Sequence, residues 1–183
     1  MHIRLSTALG SPIVTEDMEE RVGVLDGALV HPDLGRVEGV FVRVAGFFHS
    51  ARLFLPSQDI RHWGHRIRIL SSDVLVPLEE IVRLQAFALE GRTVLGQRIR
   101  TESGVLVGVC RDVQFETATF RLEWIFPKTF LRWQPALPAS AIVEVRPDAV
   151  IVRDLSVTEK RSVLKTLDEL TEAPVPPRLP DAS

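Results

Sequence analysis

The chain of 183 residues contains one cysteine, Cys110. A single thiol excludes an internal disulfide framework and any multi-cysteine metal site, and it suits a reducing compartment. No uninterrupted apolar run approaches the roughly 20 residues of a membrane-spanning helix. Residues Met1 to Gly10 lack the apolar stretch of a secretory leader, so a cytoplasmic location is expected. Charge is nearly balanced, with a formal net charge of -2. That leaves no global pull toward nucleic acid or an anionic membrane, and only a local basic face could supply one. There is no Gly-rich phosphate loop, no nucleophile elbow and no paired His/carboxylate motif. Neither catalysis nor a cofactor is expected. His62 and His65, with His49 or His31, come nearest to a metal site. They lie in strand-and-turn sequence, where positions i and i+3 face opposite sides, and no carboxylate completes the set. No metal is expected.

What is present is a repeat. A content of 45% hydrophobic and 25% charged residues is that of a globular chain. Leu9-Gly10 recurs as Leu95-Gly96, Thr15-Glu16 as Thr101-Glu102, Gly23 as Gly108, and Leu55-Pro56-Ser57 as Leu137-Pro138-Ala139. Each copy then ends in a short apolar run, Ile67 to Leu70 and Ala149 to Val152. Landmarks recurring in one order at this spacing mark a duplicated small domain rather than a solenoid.

Within the first copy, Ile3-Arg4-Leu5 reads as a lead-in strand and Pro12 to Thr15 as the first full strand. Arg21 to His31 is a long strand, with Val22, Val24, Ala28 and Val30 on one face and Leu25 and Leu29 on the other. Gly23 and Gly27 mark bends or close backbone approach. His31-Pro32-Asp33-Leu34-Gly35 suits a type I turn ending in a left-handed residue. In the second copy Phe120 replaces that glycine, so its turn is expected to close differently. Arg36 to Val44 and Ala51 to Leu55 are further strands, and Pro56 to Ile60 is a single helical turn. Pro77, Glu79, Glu80 and Gly91 frame a helix over 77–90 with a broad apolar face. That helix is expected to pack between the copies. Cys110 reads as a small hydrophobe inside a strand. Val163, Leu164, Leu167 and Leu170 form the stripe of a C-terminal helix, with Thr158 as a cap.

The resulting organisation is a first unit over 1–70, a connecting segment over 71–94, a second unit over 95–153, a helix over 154–172 and a Pro-rich disordered tail over 173–183. The fold class is all-β dominated.

The spacing Gly-x-Val/Leu-x-Asp, then Asp-x-x-Gly-Arg-Val, an apolar strand and Leu-Pro-x-x-Asp-Ile resembles the PRC-barrel family. The first copy matches at Gly23, Leu25, Pro32, Asp33, Gly35, Arg36, Val37, Leu55, Pro56, Asp59 and Ile60. The second matches at Gly108, Asp112, Arg121, Leu137, Pro138 and Ile142, with Phe120 and Ala141 departing from the pattern. The resemblance implies two small six-stranded β-barrels in tandem, joined by a helix. It also implies a docking role, because members of the family use the barrel as a docking module and carry no active site on it. The fold-defining residues are Gly23, Asp33, Gly35, Arg36, Pro56, Gly108, Asp112 and Pro138.

Two candidate surfaces follow from the residues. Phe47 and Phe48 interrupt a strand, and Phe130 and Trp133 lie in a Pro-flanked, cationic loop. Each loop is either a partner-binding tip of the aromatic kind that dominates interfaces or a cap folded on its own barrel, and the loop with Phe130 and Trp133 could also bridge to the first unit. Arg52, Arg61, Arg66 and Arg68 could form a basic face for RNA or a ribosomal particle. The leading expectation is a protein-interaction adaptor or assembly factor with a protein partner. A ribosome- or RNA-associated factor and a structural homo-oligomer are the alternatives.

Overall fold

The computed structural model describes residues 1–17, 20–45 and 50–154. Phe47, Phe48, the C-terminal helix beyond Asp154 and the Pro-rich tail lie outside these residues.

The chain begins with β1 (His2–Arg4) and a one-turn helix α1 (Leu5–Ala8). The first sheet comprises β2 (Pro12–Thr15), β3 (Arg21–Val30), β4 (Val37–Ala45), β5 (Ser50–Pro56), β6 (Ile60–Trp63) and β7 (Ile67–Ile69). A segment containing α2 (Val82–Glu90) follows. The second sheet comprises β8 (Arg98–Thr101), β9 (Leu106–Glu116), β10 (Leu122–Lys128), β11 (Leu137–Pro138), β12 (Ile142–Val145) and β13 (Ala149–Val152), with β1 paired antiparallel to β9 as a seventh strand.

The first sheet runs β5-β4-β3-β2-β7-β6 and the second β11-β10-β9-β8-β13-β12, the same order strand for strand. The β2/β7 and β8/β13 pairs are parallel and the other pairings in both paths are antiparallel. Even the registers correspond. Ile13 faces Gly23 as Ile99 faces Gly108, and Val40 faces Leu55 as Ile125 faces Leu137. The expected closed barrels are not found. The end strands β5 and β6, like β11 and β12, do not pair with each other. In each sheet they are consecutive strands joined by one 3-10 turn, Ser57–Asp59 or Ala139–Ala141. A proline precedes each turn and has no N–H to give to a ladder.

Strand β3 corrects the simple alternation. Leu25, Ala28 and Val30 are all buried, although period two puts Leu25 on the other face. A register shift between Leu25 and Gly27 inserts an extra residue and reverses the phase. The corresponding shift in β9 falls between Cys110 and Asp112, where Pro127 and Phe126 are the successive partners. In β4, Val40 and Val42 alternate into the core as expected.

The helix expected over 77–90 is split. Leu78–Glu80 is a 3-10 turn, Ile81 is extended, and only Val82–Glu90 is α-helical. Gly91 closes it in the left-handed conformation at φ 65°. Leu84 is buried, but Val82 and Leu89 are exposed. The two sheets meet directly instead. Arg36 and Arg121 form an antiparallel bridge, in which Val37 donates its N–H to the Phe120 carbonyl at 2.7 Å and Leu122 donates to that of Gly35 at 2.9 Å. These residues occupy equivalent places in the two sheets, so the seam has approximate two-fold symmetry.

The seam explains the second turn. Phe120 has φ 57°, matching 56° at Gly35. His31 donates to the Arg36 carbonyl as Glu116 donates to that of Arg121, so both turns close alike. A phenylalanine in this region is strained. Its ring packs on Trp63 at 6.0 Å and on Phe115 at 6.3 Å, and those contacts hold it there. Trp63 also meets Phe115 edge-on at 5.4 Å. One core therefore runs through both sheets, from Leu25, Val42 and Ile67 to Val113, Ile125 and Val150.

Cys110 is fully buried, and desolvation pushes its thiol up to about 12. The thiol is inert in the folded chain. Native protein at pH 8 is expected to take up no iodoacetamide, whereas protein in urea takes up one equivalent, read by mass spectrometry. Rapid native labelling would contradict the burial.

Candidate functional site

The loop between β10 and β11 is a built structure. Thr129 donates its N–H to the Arg132 carbonyl and Gln134 donates to that of Pro127, each at 2.9 Å. The Gln134 side chain donates to Thr129 Oγ1 at 3.1 Å. This closed turn carries Phe130 and Leu131 at its tip, 94% and 81% exposed. Trp133 is 51% exposed and is oriented by cations, with Arg4 Cζ 4.9 Å and Lys128 Nζ 5.1 Å from its ring. Arg4 is itself fixed. Its Nε donates to Asp112 Oδ2 at 2.5 Å, and its Cζ lies 4.0 Å over Phe126. Asp112 is buried and also accepts the Ser6 and Val113 N–H groups at 3.0 and 2.9 Å. Below the loop tip lies a groove of about 680 Å³, lined by Phe130, Trp133, Leu106, Val109, Arg98 and Arg111 among others.

Of the sequence candidates, Phe130 and Trp133 share this groove. Leu131 and Leu106 belong to the same exposed apolar surface and are missed by sequence reasoning. Leu106 sits in an alternating strand, where its exposure depends on what covers that face. The basic candidates do not form one set. Arg61, Arg66 and Arg68 are exposed on the β6–β7 hairpin with His62 and His65. Arg52 lies on β5, at the other end of the strand order. It pairs with Asp26 at 3.0 Å and stacks over Phe41 at 3.8 Å. Among the described residues no group of three His, Cys, Asp or Glu side chains could hold a metal ion. Among them, too, no helix is long and apolar enough to cross a membrane.

The fold-defining residues act at turns and seams. A Cβ at Gly23 would lie 2.6 Å from Val42 Cγ1, and one at Gly108 would lie 2.9 Å from the Lys128 carbonyl oxygen. Pro56 and Pro138 start the two 3-10 turns. Arg36 donates to buried Glu38 at 2.7 Å. Asp33 receives the Arg92 guanidinium, whose Nε also donates to the Val145 carbonyl at 2.8 Å. That contact ties the first turn to the second sheet, and the hydrogen bond from Arg92 holds the Asp33 carboxyl below its ordinary range. His31 accepts the Asp33 and Leu34 N–H groups at Nδ1, and desolvation lowers its pKa from 6.5. Asp112 faces Phe126 as Gly27 faces Phe41. It therefore takes the place of Gly27.

No curated protein matches the chain. Residues 1–84, which span the whole first sheet, match the PRC-barrel domain family.

Proposed function

We propose that the protein is a non-catalytic interaction module, an adaptor or assembly factor, in which the second sheet is a divergent second copy of the PRC-barrel domain. The shared strand order and registers support the duplication. The observation that carries the interaction reading is the hydrogen-bonded loop that holds Phe130 and Leu131 almost wholly in water. Exposing rigid apolar side chains costs solubility and gains nothing for the fold, and aromatic anchors of this kind concentrate binding energy.

The test is affinity capture with the tagged full chain at low and high salt, beside the Phe130→Ala/Trp133→Ala variant. A specific protein partner is expected to persist at high salt. The paired substitution is expected to weaken its binding about 30-fold or more. An unchanged affinity would overturn the assignment of this surface.

A second reading rests on the β6–β7 hairpin, which presents Arg61, His62, His65, Arg66 and Arg68 to solvent. Recovery of ribosomal particles or RNA that wash off as salt rises would favour it, because phosphate contacts are lost by counterion competition.

A further inference from the structure

The groove beneath Phe130 carries charge of one sign. Val109 of β9 faces Arg98 of β8 on one side and Lys128 of β10 on the other. Residues opposite one another across a sheet share a face, so the valine lies between two cations whose strands are about 10 Å apart. Arg111 is a third cation. It is the extra residue of the β9 bulge, exposed between the buried Cys110 and Asp112, and a bulge re-aims the side chain it inserts. Asp112 is already taken by Arg4. Among the described residues no carboxylate lines the groove, and none pairs with Arg98 or Arg111.

Beside the cations the lining includes Leu106, Val109, Phe130 and Trp133. Cations gathered without a counter-charge repel one another, and together they hold a positive potential over the groove. A partner that answers both features carries carboxylates next to a large apolar side chain. Nucleic acid answers only the first. Its bases bind by stacking on open ring faces, whereas Arg4 and Lys128 already stand over the Trp133 ring, and Leu106 and Val109 offer no ring. The lining stretch of β9 from Leu106 to Arg111 spans about 17 Å, the length of about five extended residues. That is the reach of a short linear segment.

We propose that this groove receives a short acidic segment of a partner protein, with its carboxylates on Arg98, Arg111 and Lys128 and a large apolar side chain seated against Phe130 and Trp133. The proposal rests on reading the groove as the interaction surface, and it specifies the chemistry of what binds there.

The test pans a phage-displayed random dodecapeptide library over the immobilised full chain. The enriched peptides are expected to carry several Asp or Glu residues beside a Leu, Phe or Trp. The most enriched one is then synthesised with a fluorescent label, and its binding is read by anisotropy. Arg98→Glu/Arg111→Glu is expected to weaken it about tenfold or more, with the thermal midpoint unchanged because both side chains are exposed. Arg98→Gln/Arg111→Gln, which removes the charge alone, should weaken it about threefold. Raising the salt severalfold should lower the affinity without abolishing it, because the apolar anchor is not screened. No enrichment, or an affinity unchanged by the charge reversal, would overturn the proposal. So would tighter binding by a dodecamer of uridine than by the peptide, which would favour a nucleic-acid partner. If the enriched peptides lack acidic residues but lose binding in Phe130→Ala/Trp133→Ala, the acidic chemistry fails and the interaction reading stands. If acidic peptides bind but ignore Phe130 and Trp133, the interaction reading fails and the proposal fails with it.

Discussion

Replacing Gly39 with valine is expected to destabilise the chain severely. Gly39 lies in β4 opposite Pro56 of β5. A Cβ there would fall on the Leu55 carbonyl oxygen and 2.5 Å from Phe54 Cζ. Neither neighbour can yield. Leu55 is held in the β4/β5 ladder, and Phe54 is fully buried against Phe41 at 5.4 Å. Overpacking of a core commonly costs 1–3 kcal/mol, and a clash with backbone lies at the upper end, so about 3 kcal/mol or more is expected for valine. That is a large share of the roughly 5–15 kcal/mol that holds a domain together. Urea titration followed by circular dichroism reads the loss as a lower midpoint. Gly27→Ala is the control. Its Cβ would meet the far end of the Arg52 side chain at 3.2 Å and the Phe41 ring at an ordinary 3.6 Å, and a near wild-type midpoint is expected. Equal losses at the two positions would refute the close approach at Gly39.

Replacing Asp112 with alanine is expected to release the N-terminal strand. The carboxylate is 2% exposed and gathers three donors, from Arg4, Ser6 and Val113. Without it, the Val113 N–H loses its side-chain acceptor and the Arg4 guanidinium loses its counter-charge. Removing one partner of a buried pair costs about 3–5 kcal/mol. Arg4 is 34% exposed and can rehydrate, so about 2–3 kcal/mol is the better expectation. Hydrogen exchange should accelerate at His2 to Ser6 well before it does in β3 or β4. Asp112→Asn keeps an acceptor oxygen without the charge and should lose about half as much. Because Arg4 also steadies Trp133, the alanine variant should shift tryptophan emission in the folded state. If residues 2–6 stay protected, Asp112 is not the clip.

The shared strand order of the two sheets was legible because its landmarks are turn chemistry. Gly10 and Gly96 adopt φ 84° and 83°, and the two Leu-Pro pairs end equivalent strands. Such residues are chosen by local backbone geometry, which sequence carries directly. Three features depend on distant packing and were not legible. The alternation of Ile3 predicts a strand but does not name β9 of the second sheet as its partner. Phe120 gives no local sign of a left-handed backbone, since distant partners hold it there: the rings of Trp63 and Phe115 and the seam bond from Val37. Closure of the barrels depends on strand ends, and two prolines and a two-residue β11 leave them apart. For the candidate site, Phe130 and Trp133 stood out by composition. Leu106 and Leu131 did not, because exposure is a property of what covers a residue.

The pairing of His2 with Glu116 and of Arg4 with Gln114 has a consequence for synthesis. Strand β1 leaves the ribosome ahead of every other described strand, and its partner β9 lies near the middle of the second sheet. At about 5–20 residues per second, those first residues wait about 6–20 s for that partner to emerge. The first sheet can form in that interval, since it draws every strand from residues 12–69. The β1–β9 ladder is then completed late, when β9 emerges, although β1 precedes every other described strand. A tag or fusion placed ahead of Met1 is carried through that late step, so it should slow final assembly more than one placed after Ser183.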